Sequence, residues 1–271
     1  MLTACLLGSL TGLILGLTGA GGGILAVPAL TIGLGFSMTL ATPIALIAVG
    51  MAAFTGALDG LYKHQVRYKA ALFMAATGSL TAGLGLQLAQ LVPETILASI
   101  FSLVMLWVAL RMYRQSQPNR AGAIPNSAVL SKPCTLNPAT GKLHWTRPCT
   151  ATLAGIGALT GLTAGMLGVG GGFIIVPAFK RYTNLSMHSI IATSLMVIAL
   201  ISALTAAHSM WQGTTIPALG WYFAVAAIAG MILGRILAPH LPASVLQKGF
   251  ALVTIVVAGV LITRTWMPAL T

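Results

Sequence analysis

Two copies of one glycine-rich stretch constrain the fold of this chain more than any other feature. Gly16 to Pro28 reads GLTGAGGGILAVP, and Gly165 to Pro177 reads GMLGVGGGFIIVP, 149 residues later. Around these stretches nine residues are identical at this constant offset, seven of them Gly or Pro, which indicates an internal duplication. A triple glycine between apolar runs breaks an α-helix, because each glycine costs roughly 1 kcal/mol relative to alanine. Each copy therefore predicts a half-helix, a glycine turn and a second half-helix.

The composition predicts the environment of these broken helices. The chain is 57% hydrophobic and 6% charged, whereas about a quarter of the residues of a soluble protein are charged. Its apolar runs are continuous and do not alternate with polar residues, which favours helices over a β-barrel. We therefore expect an all-α polytopic membrane protein, with the lipid bilayer as its surroundings.

The duplication divides the chain into two transmembrane repeats, 1–112 and 149–271, joined by the Pro-rich linker 113–148. Each repeat contains a broken helix or a re-entrant hairpin followed by three full spans, which gives eight to ten membrane segments. Ala41-Thr42-Pro43 aligns with Ala192-Thr193-Ser194 only after a two-residue insertion in the second repeat. Gly78, Ala82, Gly83 and Gly85 predict a small-residue packing face on one span.

The basic residues predict how the repeats cross the membrane. There are 14 Lys and Arg against 2 Asp and Glu, and they lie between or at the ends of the apolar segments. That placement is typical of the positive-inside rule and does not indicate nucleic-acid binding. Repeats inserted the same way round divide the basic residues 10 to 4, whereas inverted repeats divide them 13 to 1, with Arg264 alone outside. Inverted repeats are therefore favoured, with a cytoplasmic linker in which Cys134 and Cys149 stay reduced and with both termini outside.

The scarcity of acidic residues bears on the substrate. Asp59 and Glu94 are the only carboxylates, and both lie at segment ends. Cation pathways normally place carboxylates inside the membrane, so an anionic substrate is favoured. The three cysteines have no metal-ligand spacing, and no enzymatic motif is present, so we expect neither a cofactor nor a catalytic activity.

Glycine turns near the middle of the membrane predict an anion site. Successive glycines expose backbone N–H groups, and each turn opens a helix whose N-terminus carries about half a positive charge. The hydroxyls that begin the following spans are candidate additional donors. The predicted site residues are Gly21, Gly22, Gly23, Thr42, Gly170, Gly171, Gly172, Thr193 and Ser194. In the alternative interpretation the glycines only pack helices and the hydroxyls only cap them, as in a non-transporting membrane scaffold; an intramembrane enzyme ranks last.

The doubled motif, GGG separated by four residues from Pro-Ala, together with the later Ala-Thr-Pro and Ala-Thr-Ser, resembles the sulfite exporter TauE/SafE family of membrane permeases. The resemblance implies a multi-pass protein of the bacterial inner membrane that carries a small sulfur-containing anion such as sulfite, thiosulfate or an organosulfonate. An inside-negative potential favours anion exit, so export needs no coupling carboxylate. The sequence leaves open the anion, the coupling and a possible homo-oligomer.

Overall fold

A computed structural model of the chain describes residues 1–19, 22–115, 134, 145–240 and 243–266. Within these ranges the chain forms ten α-helices: α1 (Leu2–Thr18), α2 (Gly23–Leu34), α3 (Met38–Tyr62), α4 (Tyr68–Leu91), α5 (Glu94–Gln115), α6 (Arg147–Leu167), α7 (Gly172–Tyr182), α8 (Met187–Trp211), α9 (Ala218–Leu237) and α10 (Ala243–Trp266). Seven of the described helices, α3 to α6 and α8 to α10, are long and apolar enough to cross a membrane. The all-helical membrane class is therefore confirmed.

The two halves of the chain repeat the same order of helices without an insertion. Helices α3 and α8 are each 25 residues long, and they begin 149 residues apart, at Met38 and Met187. Ser37 and Ser186 precede them in the same extended conformation, which fixes where each helix begins. The predicted two-residue insertion is wrong, because the Ala-Thr-Pro and Ala-Thr-Ser triplets are similar in sequence but occupy different turns of their helices.

Helices α1 and α2 form a hairpin that enters and leaves the bundle at the same end. Gly22 packs against Leu15, and Gly33, near the end of α2, packs against Leu7, near the start of α1. The second half repeats this arrangement, because Cys134 joins the end of α7 to the start of α6. Its N–H donates to the Tyr182 carbonyl oxygen (3.3 Å), and its sulfur bonds to Cys149. Helices α1 and α2 are both shorter than a membrane-spanning helix, whereas α6 is 21 residues long and apolar enough to cross. A re-entrant hairpin and a pair of short crossings are both compatible with this packing.

Helices α3 and α8 lie antiparallel at the centre of the bundle. Gly50 of α3 packs on Ser202 of α8, and Gly60 packs on Ala192, so one helix ends where the other begins. We call the end where α3 finishes and α8 starts the basic end. Ten basic residues of the described ranges lie there: Lys63, Arg67, Lys69, Arg111, Arg114, Arg147, Lys180, Arg181, Arg235 and Lys248. Arg264 lies at the opposite end, where its Nη1 is 3.4 Å from the Ile32 carbonyl oxygen.

Each half packs most closely against the other half through helical glycines. Gly12 of α1 lies against the Ala227 backbone of α9, and the equivalent Gly161 of α6 lies against the Gly78 backbone of α4. Ala82 and Gly85 belong to the same buried face of α4. Gly83 does not, because no atom lies within 4 Å of a Cβ added there. The predicted packing face was therefore wrong at Gly83, which lies on another side of α4.

Cys134 and Cys149 form a disulfide, with Cα atoms 4.9 Å apart. The expectation that both thiols stay reduced is corrected by this bond. Both cysteines are buried, and the contact between Cys134 and Tyr182 holds this point of the linker against the end of α7. Most of the predicted linker otherwise lies outside the described residues.

Candidate functional site

The two glycine turns meet inside the bundle. A Cβ added to Gly23 would lie 2.6 Å from the Val169 carbonyl oxygen and 3.2 Å from Val49 in the middle of α3. A Cβ added to Gly170 would lie 3.3 Å from the same Val49 side chain. The structure thus brings the predicted glycines of both repeats to one buried place. Gly21 lies outside the described residues.

The turns differ in backbone conformation although their sequences match. Gly22 has φ −60°, in the right-handed region, whereas Gly170 and Gly171 both have φ +69°, in the left-handed region. Any side chain at Gly22 would collide with the backbone of Leu15. Gly22 is therefore required for space alone, whereas its equivalent Gly171 is required for both space and backbone conformation.

Two buried hydroxyls beside the second turn have no hydrogen-bond partner within the described part of the chain. They belong to Thr160 on α6 and Ser202 on α8, and both residues are fully buried. The Ser202 Oγ lies 3.5 Å from the position of a Cβ at Gly170, and Thr160 packs against Gly171. Leaving a buried hydroxyl unpaired costs about 1–3 kcal/mol, so such groups call for an explanation.

The first repeat has no such pair of unpartnered hydroxyls. The residue equivalent to Ser202 is Ala53, and the one equivalent to Thr160 is Thr11. The Thr11 hydroxyl donates to the Gly8 carbonyl oxygen at 2.8 Å. Of these four equivalent positions, only the two at the second turn carry a hydroxyl without a hydrogen-bond partner.

Helix α7 begins at this turn and contributes two further donors. The N–H groups of Ile174 and Ile175 donate to the Gly171 carbonyl oxygen at 3.0 and 3.4 Å. Those of Gly172 and Phe173 are the first of the helix, and by position they have no acceptor within it. A cavity of about 70 Å³ runs beside α7 from Gly172 to Arg111 and Lys180 near the basic end. The N–H groups at the N-terminus of α7 and the two cations suit a small oxyanion in this cavity, whereas the hydroxyls of Ser202 and Thr160 lie at the turn and do not line it.

The predicted hydroxyls of Thr42 and Ser194 bond to their own helices. Thr42 donates to the Met38 carbonyl oxygen at 2.9 Å, and Ser194 donates to that of Ile191 at 2.8 Å. Thr42 still lies at the second turn, since its Cα is 2.9 Å from the position of a Cβ at Gly168. Its hydroxyl, however, is already used within α3.

The remaining predicted residue, Thr193, lies away from Thr42. Its hydroxyl oxygen accepts the Arg67 N–H at 3.0 Å, and its neighbour Ala192 packs on Gly60. Thr42 precedes Gly60 by five turns of helix, a rise of roughly 27 Å. One small anion therefore does not touch both threonines at once, so the predicted set spans more than one place.

Sequence reasoning missed Ser202 and Thr160. Each is a single hydroxyl in an apolar helix, which by itself is ordinary. The available signal was the mismatch between the repeats at the 149-residue offset, where Ser202 replaces Ala53. Thr160 gave no such signal, because its equivalent Thr11 is also a threonine. The two differ only in hydrogen bonding, since the Thr11 hydroxyl has a partner and that of Thr160 has none.

An all-helical bundle with seven membrane-length helices and buried glycine turns defines a multi-pass membrane protein. The chain belongs to the sulfite exporter TauE/SafE family, whose model matches residues 4–261, and it is a membrane transporter. Two proteins of Xylella fastidiosa, from strains Temecula1 and 9a5c, are 32% identical over 96% of this chain and 94% of their own length. One of Haemophilus influenzae is 28% identical over 95% of this chain and 96% of its own. All three are named probable membrane transporter proteins, and no solved structure gave a significant match.

Proposed function

We propose that this transporter exports a small sulfur-containing anion, such as sulfite, thiosulfate or an organosulfonate, across the bacterial inner membrane. The observation that carries the proposal is the buried, unpartnered hydroxyl of Ser202 beside Gly170, where the two glycine turns meet. The anion binds at the second turn, between this hydroxyl, Thr160 and the N–H groups that open α7. The bacterial relatives support the choice of membrane.

The charges around the turns support an anion. Asp59 lies at the basic end in an ion pair with Arg235, and Glu94 lies at the opposite end, where it accepts the Met38 N–H. Neither carboxylate lines the small cavity, whereas Arg111 and Lys180 do. A cation in that cavity would meet donors and positive charge, while an oxyanion finds complementary groups.

The repeats are inserted in inverted topology in this proposal. The antiparallel pairing of α3 and α8, which are equivalent helices, supports it. So does the count of three full crossings after each hairpin, because an odd number reverses the second repeat. The concentration of basic residues at one end supports a cytoplasmic location for that end. The Cys134–Cys149 disulfide lies at the same end and is the opposite observation, because disulfides are rare in a reducing cytoplasm; the charge bias of ten basic residues decides the proposal. The boundaries 1–112 and 149–271 remain our prediction for the two repeats.

Export follows from the membrane potential. An inside-negative potential favours anion exit by about 2.3 kcal/mol per charge per 100 mV. Uptake against this force needs a co-ion, and coupling by protons or Na⁺ normally uses a carboxylate in the pathway. The described pathway residues at the glycine turns are Gly, Ser, Thr and apolar side chains, which suits a uniporter.

Transport by purified protein in proteoliposomes tests the proposal. Vesicles loaded with sulfite, thiosulfate or methanesulfonate should release at least one of them faster than protein-free vesicles, and an inside-negative potential should accelerate the release. Replacement of Na⁺ by K⁺ or choline should not slow it. If no anion moves or binds at millimolar concentration, the turn glycines serve packing and the export proposal fails.

A further inference from the structure

A second cavity, separate from the small one beside α7, opens at the basic end. Its volume is about 770 Å³, and it lies between α1, α3, α8 and α9, with the start of α10 at its rim. Gly16 and Gly19 line its inner part, so it reaches from the end of the bundle to the beginning of the first glycine turn. A cavity of this size admits a hydrated small ion.

Three charged side chains form a compact group on its wall. The Asp59 carboxylate contacts Lys63, with Nζ 3.0 Å from Oδ1, and Arg235, with Nη2 2.8 Å from Oδ2. The second terminal nitrogen of the Arg235 guanidinium, Nη1, donates to the Gly56 carbonyl oxygen at 2.8 Å. Two cations thus share one carboxylate, and His188 lies on the same wall. The cavity therefore carries an excess of positive charge at the edge of the membrane.

Comparison of the two repeats shows that this group of charged side chains occurs in only one of two equivalent places in the fold. The positions equivalent to Asp59, Lys63 and Arg235 in the other repeat are His208, Gln212 and Leu86. His208 and Gln212 keep the side-chain contact, at 3.1 Å, but neither is a permanent charge. The same helical framework thus carries an ion group at the basic end and a histidine–glutamine contact at the other.

We propose that this cavity is a binding site for a small oxyanion, which takes the place of the Asp59 carboxylate on Arg235 and Lys63. A carboxylate is itself an oxyanion, and the Nη2 group of Arg235, which donates to Asp59, can donate to another oxyanion in the same way. All three side chains are partly exposed, and ion pairs at such positions are weak enough to exchange. Asp59 thus occupies the site when no anion is bound. That the bound anion is then exported rests on the function proposed above.

Equilibrium binding of sulfite to the purified protein at low ionic strength tests this site. Asp59→Asn removes the competing charge and should tighten binding by about tenfold. Arg235→Gln should weaken it by about tenfold, and the double variant should resemble Arg235→Gln. Lys69→Gln is the matched control, because Lys69 is an exposed cation of the same end that does not line the cavity. It should bind like wild type, and thermal unfolding identifies any variant that has lost its fold.

Arg235→Lys tests whether the anion needs the guanidinium group or only a positive charge, since lysine keeps the charge and lacks the planar guanidinium. The affinity of this variant for sulfite should fall between those of wild type and Arg235→Gln. If the folded Asp59 and Arg235 variants bind sulfite like wild type while vesicles still release it, this site is overturned and the export proposal stands. A wild-type protein that neither binds nor moves any of the three anions overturns both.

Discussion

Gly161 on α6 lies directly against the backbone carbonyl oxygen of Gly78 on α4. The duplicated helices repeat the contact, with Gly12 against Ala227. Backbones this close leave no room for even a methyl group. The stability of the bundle therefore depends on a few helical glycines that are distinct from those of the turns.

Gly161→Ala should lower the free energy of unfolding by about 1–3 kcal/mol, because the added methyl group forces α4 and α6 apart. Gly155→Ala is the matched control on the same helix, since no atom lies within 4 Å of its added Cβ. It should stabilise the helix by up to about 1 kcal/mol. Thermal unfolding in one detergent compares them, and equal melting temperatures would contradict this packing.

Gly170→Ala should reduce anion affinity as well as stability. The residue needs φ +69°, and its new methyl group would stand 3.0–3.5 Å from Ile198, Val49 and Ser202. Gly35→Ala carries the same backbone strain, at φ +72°, but has open space around it at the end of α2. Both should lose about 1–2 kcal/mol of stability. A drop in sulfite binding confined to Gly170→Ala is the expected result; comparable binding in both would remove the turn from the site.

Ser202→Ala and Thr160→Val should weaken anion binding without loss of stability. Each removes a buried donor that has no partner in the described protein, so unfolding should be unchanged or shifted to higher temperature. Loss of one hydrogen bond to an anion, about 1.5–3 kcal/mol, lowers affinity roughly ten- to a hundredfold.

Thr205→Val provides the control for these two variants. Thr205 is buried one turn further along α8, but its hydroxyl donates to the Ile201 carbonyl oxygen at 2.7 Å. Its removal should leave affinity intact. Isothermal titration with sulfite gives the comparison, and the idea fails if Thr205→Val weakens binding as much as Ser202→Ala does.

Topology is tested at two equivalent exposed positions. Lys63 and Gln212 are 149 residues apart and lie at opposite ends of the bundle. In a background without native cysteines, Lys63→Cys should react with an impermeant maleimide from the cytoplasm alone, and Gln212→Cys from the periplasm alone. Labelling of both from one side would restore repeats inserted the same way round.

The disulfide predicts a thiol count. After denaturation, one thiol per chain, that of Cys5, should react with a maleimide before reduction and three should react afterwards. Because the bond closes a loop of about 15 residues, Cys149→Ser should cost roughly 3 kcal/mol of stability in the chain-entropy model. Three reactive thiols without a reductant would show that the linker cysteines are not paired.

The sequence predicts features that depend on composition and local pattern. The helical membrane class follows from continuous apolar runs, and the broken helices follow from the glycines near Gly22 and Gly171. The antiparallel packing of α1 on α2 does not follow, because the apolar pattern identifies the segments and not the contacts between them. It depends on contacts such as that of Gly33 with Leu7.

The candidate site likewise contains residues that the sequence predicts and residues that it does not. The glycines were predictable because their cost in a helix is local, whereas Ser202 is exceptional only because nothing nearby accepts its hydroxyl. Whether the Ser202 hydroxyl has a hydrogen-bond partner depends on how α3, α7 and α8 pack together, which no local sequence pattern records. The Cys134–Cys149 bond was likewise hidden, since the path of the linker leaves no periodic signal in its sequence.

The glycine contacts that join the two halves also determine when the packing of the bundle can be completed during synthesis. Helix α1 leaves the ribosome about 200 residues before its partner α9. Until α9 arrives, the glycine face of α1 has no backbone to pack against. Until then, we expect this face of the first hairpin to contact lipid or the insertion machinery. A chain that stops after the first repeat should be recognised as unfinished and degraded.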